Sequence, residues 1–405
     1  MESKYFIKTC ALIATEGSSL SDDFEISGGN PNITYYESVK SPSISVSIDF
    51  IDVDGVISRE GITGGEYLDL KIKVPDFDDF EITPDKHFMM LNSVKNVKTS
   101  SNKQIATLEF VSVEAIINET ARVSRRFTGN VSQIVKELMK DKKSIQTSKN
   151  LETDESFNKY SFVGNLKRPF DTIQWLCPKA ASTDKECGFL FYENLDGYFF
   201  KSIKGLLESD SSETYEKPEA PVDTDIKITE NNLDSSNDIG MNCRMGMYAN
   251  KTLYVDIENG KLETVDYKIS DLNLAKPPKL PAGLEDVPTR LMLRILDAGA
   301  LQKGSKKEEV EKRSELAVYQ NKSYARTNLL FSQSLSISTP FNPDLRVGQM
   351  IDVVLPVKEG SDQSQTTGGG ENDISGKYLL SELKHSIANG KSNSELKLIR
   401  DVFTA

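Results

Sequence analysis

The sequence predicts a mainly β fold with α+β insertions: two related antiparallel β-barrels with an inserted α+β domain between them. Three observations predict it. Apolar and polar residues alternate in both terminal parts of the chain, the mark of strands with one buried face. In the middle the apolar spacing becomes helical. The two ends also resemble each other in sequence. At 405 residues the chain has length for about two to four domains. Its 27% charged and 38% hydrophobic residues are ordinary for a globular protein.

In the first part, Ile44, Val46, Ile48 and Phe50 alternate with Ser43, Ser45, Ser47 and Asp49, and the turn Asp52-Val53-Asp54-Gly55 ends that strand. Leu68, Leu70, Ile72 and Val74 alternate up to Pro75, which closes the next. Phe88 through Val97 and Ile105 through Val113 flank the polar stretch Thr99 to Lys103, the pattern of a long antiparallel hairpin. Near residue 118 the pattern changes. Asn130 is placed to cap a helix, with Gln133 completing a capping box ahead of Val131, Ile134, Val135, Leu138 and Met139. A second helix starts at Pro169, carries Phe170, Ile173 and Leu176 inward, and kinks or ends at Pro178. An aromatic hairpin follows: Gly188 to Tyr192, a turn over Glu193 to Gly197, then Tyr198 to Phe200.

Residues from about 208 to 225 are acidic, Ser-rich and proline-containing, and read as a linker. Lys251 to Val255 and Leu262 to Ile269 form a hairpin about Glu258-Asn259-Gly260. A second linker carries Pro277, Pro278, Pro281 and Pro288. A charged helix runs from Lys306 to about Arg326, with Val310, Ala317 and Tyr324 on one stripe. Strands return at Leu335 and Ile337, Met350 to Leu355, Tyr378 to Leu383 and Leu396 to Val402. Lys358 to Ser375, holding Gly368-Gly369-Gly370, reads as a mobile loop.

The two ends align. Ser43-Ile44-Ser45-Val46-Ser47-Ile48-Asp49-Phe50 resembles Ser334-Leu335-Ser336-Ile337-Ser338-Thr339-Pro340-Phe341. Each is followed by a turn, an alternating strand closed by proline (Val74-Pro75, Leu355-Pro356), a loop and a long hairpin. Within the hairpins, Leu91 to Lys95 matches Leu380 to Lys384, and Leu108-Glu109-Phe110 matches Leu396-Lys397-Leu398. Generic strand composition is one source of such matching; duplication of one antiparallel barrel, with the middle of the chain inserted, is the sharper one.

Composition narrows the function classes. The net charge of −12 opposes a protein that grips nucleic acid by neutralising phosphates. It fits plain solubility, and equally a passage through which DNA slides without sticking. No apolar run approaches the length of a membrane helix, and Lys8 and Glu16 break the apolar start Tyr5 to Ala14 too early for a signal peptide. Cys10, Cys177, Cys187 and Cys243 lack metal-ligand spacing, and His87 and His385 are the only histidines; the cysteines read as reduced thiols, a Cys177–Cys187 pair being open but unsupported. A calcium loop set by Gly55 puts Phe50 and Gly61 where carboxylates are required, so Asp52 to Gly55 reads as a turn. Gly368 to Gly370 lacks the Lys-Ser/Thr of a phosphate loop. His87 and His385 occupy similar places in the two repeats and neither has a nucleophile and acid beside it. Trp175 and the hairpin 189–200 are placed to stack on sugars or to fill a core, and the core is the better reading. A carboxylate pair of glycosidase type stays open on sequence alone.

The C-terminal stretch carries a recognisable pattern: Arg346-Val347-Gly348-Gln349-Met350-Ile351-Asp352-Val353, then Gly376 to His385, then Gly390, Leu396, Leu398 and Arg400-Asp401. It resembles the last barrel of the phage late control protein D and baseplate-hub family, shared with the hub portion of type VI secretion spikes. The charged helix running straight into a strand at Asn328-Leu329-Leu330, the block Phe127 to Phe200, and Ile48-Asp49-Phe50 with Gly65-Glu66-Tyr67-Leu68 are similar to that family too. The resemblance implies tail-tube-like barrels at 1–118 and at 224–247 with 327–405, an inserted α+β domain at 119–223 and a further insertion at 248–326. It implies a structural, non-enzymatic virion protein assembled in the host cytoplasm: a homotrimeric ring joining a six-fold tail tube to a three-fold central spike and letting DNA pass. Implied partners are the spike, the tail tube or its initiator, and baseplate wedge and tape-measure proteins. No catalytic, cofactor or metal residues are expected, and no sequence-specific nucleic-acid binding or membrane span. The other classes are a receptor or carbohydrate-binding tail protein, a peptidoglycan-cleaving tail protein, and the hub of a phage-derived injection or type VI-like system.

Overall fold

The structure, a computed structural model, describes residues 5–401 apart from 19, 27–30, 54, 76, 101–102, 218–226, 237, 257–259, 273–282, 285, 296–306 and 356–373. Asp54 of the first turn, the Gly368–Gly370 loop and Pro277, Pro278 and Pro281 of the second linker therefore lie outside the described residues.

The first part contributes β1 (Phe6–Ile13), β2 (Phe24–Glu25), β3 (Asn32–Ser38), β4 (Ser45–Asp52), the short helix α1 (Val56–Glu60), β5 (Tyr67–Lys73), β6 (Phe80–Ile82), β7 (Met89–Ser100) and β8 (Lys103–Ser112). The alternation predicted in β4 and β5 is realised: Val46, Ile48 and Phe50, and Leu68, Leu70 and Ile72, are buried while their neighbours face outward. The middle contributes α2 (Val113–Thr120), β9 (Arg126–Asn130), α3 (Val131–Lys140), β10 (Leu151–Thr153), β11 (Lys159–Val163), α4 (Pro169–Leu176), β12 (Phe189–Asn194), β13 (Gly197–Ser202) and α5 (Ile203–Leu207). The Asn130–Gln133 capping box is present, and the α3 residues Ile134, Val135, Leu138 and Met139 are buried. A 3-10 turn over Cys177–Lys179 follows α4, so Pro178 sits where the helix tightens and stops. The aromatic hairpin turns more sharply than the sequence indicated. Asn194 pairs with Gly197, leaving Leu195-Asp196 as a two-residue loop, and Gly197 takes the φ of +139° that only glycine adopts cheaply.

The rest contributes β14 (Ser211–Glu216), β15 (Glu230–Ser236), α6 (Ile239–Met245), β16 (Ala249–Asp256), β17 (Lys261–Lys268), β18 (Arg290–Ile295), α7 (Lys307–Leu330), β19 (Gln333–Pro340), β20 (Met350–Val354), β21 (Gly376–Ala388) and β22 (Lys391–Arg400). Two expectations are corrected. Within the stretch read as a linker, residues 211–216 are a strand, because β14 runs parallel to β20 and needs only a partner, not an apolar pattern. Asn328-Leu329-Leu330 is the last turn of α7 rather than a strand start, since Leu329 and Leu330 are fully buried from the helix and β19 begins only at Gln333.

The internal repeat is written in the strand order. In the first half the neighbours run β1-β5-β7-β8-β4-β3, and in the second β14-β20-β21-β22-β19-β15. The long hairpins share an irregularity: Asn92 is the extra residue where β7 passes from Leu91 to Ser93, and Ser381 where β21 passes from Leu380 to Glu382. This fixes Leu91 opposite Leu380 in the repeat, as the sequence alignment had it. The alignment of β4 on β19 was two residues off. Val46 pairs with Phe110 as Leu335 pairs with Leu398, so Val46 corresponds to Leu335 and not to Ile337. A slip of two keeps every side chain on its face, so alternation alone cannot detect it.

The two halves form one 14-stranded sheet, and no ring of strand pairing closes on itself among the described residues. Its seam is the antiparallel pairing of β3 with the second half of β21, from Ser38↔Glu382 to Ile33↔Ile387. Each half keeps its own core, with Leu12, Ile48, Leu70 and Phe110 in the first and Leu335, Ile351, Leu383 and Leu398 in the second. Phe341 and Ile387 cross the seam into the first core, and Val39 into the second. The middle has a third core about Phe127, Val135, Leu138 and Phe170, and β16, β17 and β18 form a separate sheet backed by α7.

Gly348 tests this packing. It has φ +90°, and a Cβ there would stand 2.1 Å from the Tyr192 hydroxyl. Gly348→Ala is expected to cost at least about 2 kcal/mol of unfolding free energy in denaturant titrations. Gly390→Ala, at φ +78° with nothing within 4 Å, should cost only about 1 kcal/mol. Equal losses would contradict the packed junction.

Candidate functional site

Residues with chemical potential are engaged in structure. His385 is buried beside Tyr35, Phe80 and Phe341, its Nδ1 2.9 Å from Ser394 Oγ, and burial with the Arg346 charge pushes it down to about 3. His87 is buried, its Nδ1 accepts from the Thr83 N–H, and burial with the Lys86 and Lys149 charges lowers it to about 4. Both rings are thus neutral at ordinary pH. They do not occupy matching places: His385 lies mid-strand in β21, where the first repeat has Asn96, whereas His87 lies in the turn before β7. The two Asp52 oxygens accept the N–H groups of Val56 and Ile57 at 3.0 Å each, so that carboxylate holds the start of α1. Phe189, Phe191, Tyr192, Tyr198 and Phe200 are buried. Trp175 packs on Tyr160 and Phe162 with Lys179 Nζ 3.7 Å over its ring. These aromatics serve the core rather than a sugar platform. Cys10, Cys177 and Cys187 are free, and burial pushes each thiol up to about 12. Among the described residues no group of three His, Cys, Asp or Glu is placed to hold a metal, and no helix is long and apolar enough to cross a membrane.

The most specific constellation is where the aromatic hairpin meets the seam of the sheet. Glu37, at the end of β3, is fully buried. Its carboxylate accepts from the Tyr35 hydroxyl at 2.5 Å, the Leu195 N–H at 2.8 Å and the Val347 N–H at 3.0 Å. One side chain therefore ties the first repeat, the hairpin turn and the segment before β20. Leu195 enters the first core and Tyr192 the second. The Arg346-Val347-Gly348-Gln349 segment is built for this contact. Arg346 Nε lies 3.4 Å from Asp196, Gly348 makes room for Tyr192, and Gln349 Oε1 accepts the Arg346 N–H. A second buried cluster lies alongside. Glu193 accepts from Lys149 Nζ (2.7 Å), Ser112 Oγ (2.6 Å) and the Ile44 N–H (3.0 Å), and Lys149 also pairs with Glu114 at 2.9 Å. Burial raises Glu193, opposed by Lys149; burial pulls Lys149 down, but Glu193 and Glu114 carry it above an ordinary lysine. For Glu37 burial outweighs Arg346 and the three donors and lifts the carboxyl to about 7.

Sequence reading missed Glu37, Glu114, Lys149 and Glu193. One signal was available for Glu37: it continues the inward positions Ile33 and Tyr35 at period two, which makes it a glutamate on a core face.

The outward face of the joined sheet is polar and charge-balanced. Lys384 pairs with Glu395 at 3.2 Å, Lys397 and Lys40 reach Glu382 at 3.9 and 3.7 Å, and Lys95 meets Glu109 at 2.5 Å. Ser93 and Thr107 hydrogen-bond Glu109 and Asp49. A shallow groove of about 500 Å³ crosses this face over Tyr36, Glu382 and Lys384 to Glu230, Asn231 and Asn232 of β15. Of the carboxylates that line it, Glu382 and Glu395 are engaged by lysines.

No family model matches the chain, and neither does any curated protein. Solved structures do. A tail protein from Neisseria meningitidis MC58 is similar at 10% identity, over 99% of this chain and 98% of that one, with a TM-score of 0.54. The 43 kDa tail protein of prophage MuSo2 from Shewanella oneidensis is similar at 9% identity over 98% and 99%, with a TM-score of 0.50. A chain of the Francisella PdpA–VgrG complex is similar at 13% identity, over 99% of this chain and 53% of that one, also at 0.50. The chain has the fold of phage tail proteins, one also found in a VgrG complex, as the sequence resemblance implied.

The Glu37 environment fixes the sign of a pH effect. A carboxyl raised to about 7 in the folded state binds a proton that the unfolded chain has already lost, so its contribution falls as pH rises from about 4.5 to about 7. The lowered histidines act oppositely, adding stability as pH rises from about 4 toward about 6.5. Subtracting the Glu37→Gln variant isolates the first effect. The wild-type stability minus that of the variant should fall by about 2–3 kcal/mol between about pH 5 and about pH 8 in urea titrations. A flat difference would show that the carboxyl is not raised.

Proposed function

We propose that this chain is a structural hub subunit of a contractile phage tail. In this reading three copies form a ring whose duplicated halves present six similar surfaces to a six-fold tube, while the whole keeps the three-fold symmetry of a central spike. The observation that carries it is the repeated strand order with the same bulge at Asn92 and Ser381, which makes the two halves copies of one sheet unit. Duplication is what a three-chain ring needs in order to match a six-fold partner. The repeats would be residues 1–118 and 224–247 with 327–405, with β14 joining the second, and the insertions 119–223 and 248–326 would reach the surroundings. Spike, tube or tube initiator, wedge and tape-measure proteins are the partners of this reading. The virion baseplate, assembled in the host cytoplasm, is its location.

The polar face supports a passage for DNA. Glu109, Glu382 and Glu395 are matched by Lys95, Lys397 and Lys384 in local pairs, and Asp49 accepts from the Thr107 hydroxyl. Such a face neither concentrates phosphates nor binds them in register. The same reading includes no enzymatic role, which is supported by the buried, neutral histidines and by the lysines that engage Glu382 and Glu395 in the groove. The fold shared with the Francisella complex favours one second reading, the hub of a type VI-like injection system.

The test is mass. In multi-angle light scattering the chain alone should run at three times its 45.1 kDa, or, with its spike, at that mass plus the mass of the spike. A monomer under both conditions would contradict the hub. Turnover of cell-wall material by the purified chain would contradict the non-enzymatic role.

A further inference from the structure

The buried cluster beside the joint holds more than a salt bridge requires. Lys149 Nζ stands 2.7 Å from Glu193 Oε1 and 2.9 Å from Glu114 Oε2, and the three residues are 9%, 0% and 2% exposed. The backbone of Lys149 is held from both sides: its N–H donates to Thr147 Oγ1 and its carbonyl accepts from Lys140 Nζ. The Thr147 hydroxyl donates to Glu114 Oε1 at 2.6 Å, which turns the other oxygen, Oε2, to the ammonium. On Glu193 the two oxygens have different surroundings. Oε1 faces Lys149, whereas Oε2 accepts both the Ser112 hydroxyl at 2.6 Å and the Ile44 N–H at 3.0 Å. Two donors converging on one carboxyl oxygen stabilise the negative charge that develops there when the carbon is attacked. An amine, a carboxyl, a proton acceptor and an oxyanion hole thus meet in one buried site.

We propose that Lys149 and Glu193 condense to an amide, a covalent cross-link within the chain, with Glu114 as the proton carrier. The reacting state is the neutral cluster: Lys149 as ammonium, Glu193 as carboxylic acid and Glu114 as carboxylate. Burial favours the acid form of Glu193. Glu114 Oε2 takes a proton from the ammonium, and the freed Nζ electron pair attacks the Glu193 carboxyl carbon. The C=O pair moves to Oε2, into the hydrogen bonds of Ser112 and Ile44. When it returns, the bond to Oε1 breaks. Oε1 leaves as water, carrying its own proton and one from Glu114, which recovers a proton from Nζ. One C–N bond forms, one C–O bond breaks, and Glu114 ends as the acid, so no oxidant or co-reactant is needed. The cluster enters with a buried ammonium and a buried carboxylate and leaves with neither, which relieves the cost of desolvating both. Burial favours the free amine of Lys149, while Glu193 and Glu114 hold its proton and leave it above an ordinary lysine. The first step is therefore uphill, and the bond accumulates slowly after folding. It ties the segment before β10 to β12 across 44 positions of sequence, a constraint that acts mainly on the unfolded chain.

The experiment is intact-mass spectrometry of the full chain under denaturing conditions, on fresh and on aged protein. The wild type should show a species one water lighter than its sequence, with a share that rises with age. Proteolysis should release a branched peptide that joins the Lys149 and Glu193 segments. Lys149→Arg keeps the positive charge, and Glu114→Gln keeps the contact with Thr147 but takes no proton. Both should stay at full mass, with circular dichroism showing that they fold. Full mass for the wild type at every age would overturn the proposal and leave an ordinary buried ion pair, a result that needs no variant. A lost water that maps to a linear peptide, such as a succinimide at Asp196-Gly197, would overturn it as well. If Glu114→Gln loses water as readily as the wild type, the proton carrier is wrong and the mechanism falls.

Discussion

A buried carboxylate sets the geometry of this molecule. Glu37 sits where the two sheet halves meet and spends its oxygens on groups from three separated stretches: Tyr35 beside it, Leu195 in the hairpin loop and Val347 before β20. A carboxyl left without hydrogen-bond partners is costly to bury, so the three segments must arrive together. The neighbouring Glu193–Lys149–Glu114 cluster repeats the device between the inserted domain and the first half. Apolar contacts alone would let two similar sheets slide along their seam; directional bonds to buried carboxylates hold one register.

That anchoring packs the middle of the chain into one unit with the two sheet halves. The hairpin β12–β13 places Leu195 in one core and Tyr192 in the other, and Gly348 lets the second approach. The Arg346 to Gln349 segment carried the family resemblance at sequence level, and its residues prove to be the receiving side of this joint.

Much of the fold was legible because it rests on local physics. Alternation marked β4, β5 and β19, the capping box marked α3, and Pro169 marked α4. The hairpin matches survived in full, while the β4–β19 alignment slipped by two residues, a shift that alternation is blind to. β14 was missed because its place is set by pairing with β20 across a long separation in sequence, which no local pattern encodes. The joint was only half visible. Glu37 stood on an inward position, but nothing local announced that Leu195 and Val347 would meet it. The likeness of His87 to His385 was one of spacing only, and bulges and loops undid it.

The same strand order underlies the rest of the account: one repeated run of strands and one internal seam. Its polar face is neutralised pair by pair, so a ring built from it would present DNA with little to hold. The most direct measurement is a cryo-electron image of the assembled particle with this chain located in it. Three copies forming a ring of six similar lobes between tube and spike is the predicted result. A peripheral position, or a copy number that does not make six lobes, would contradict the account.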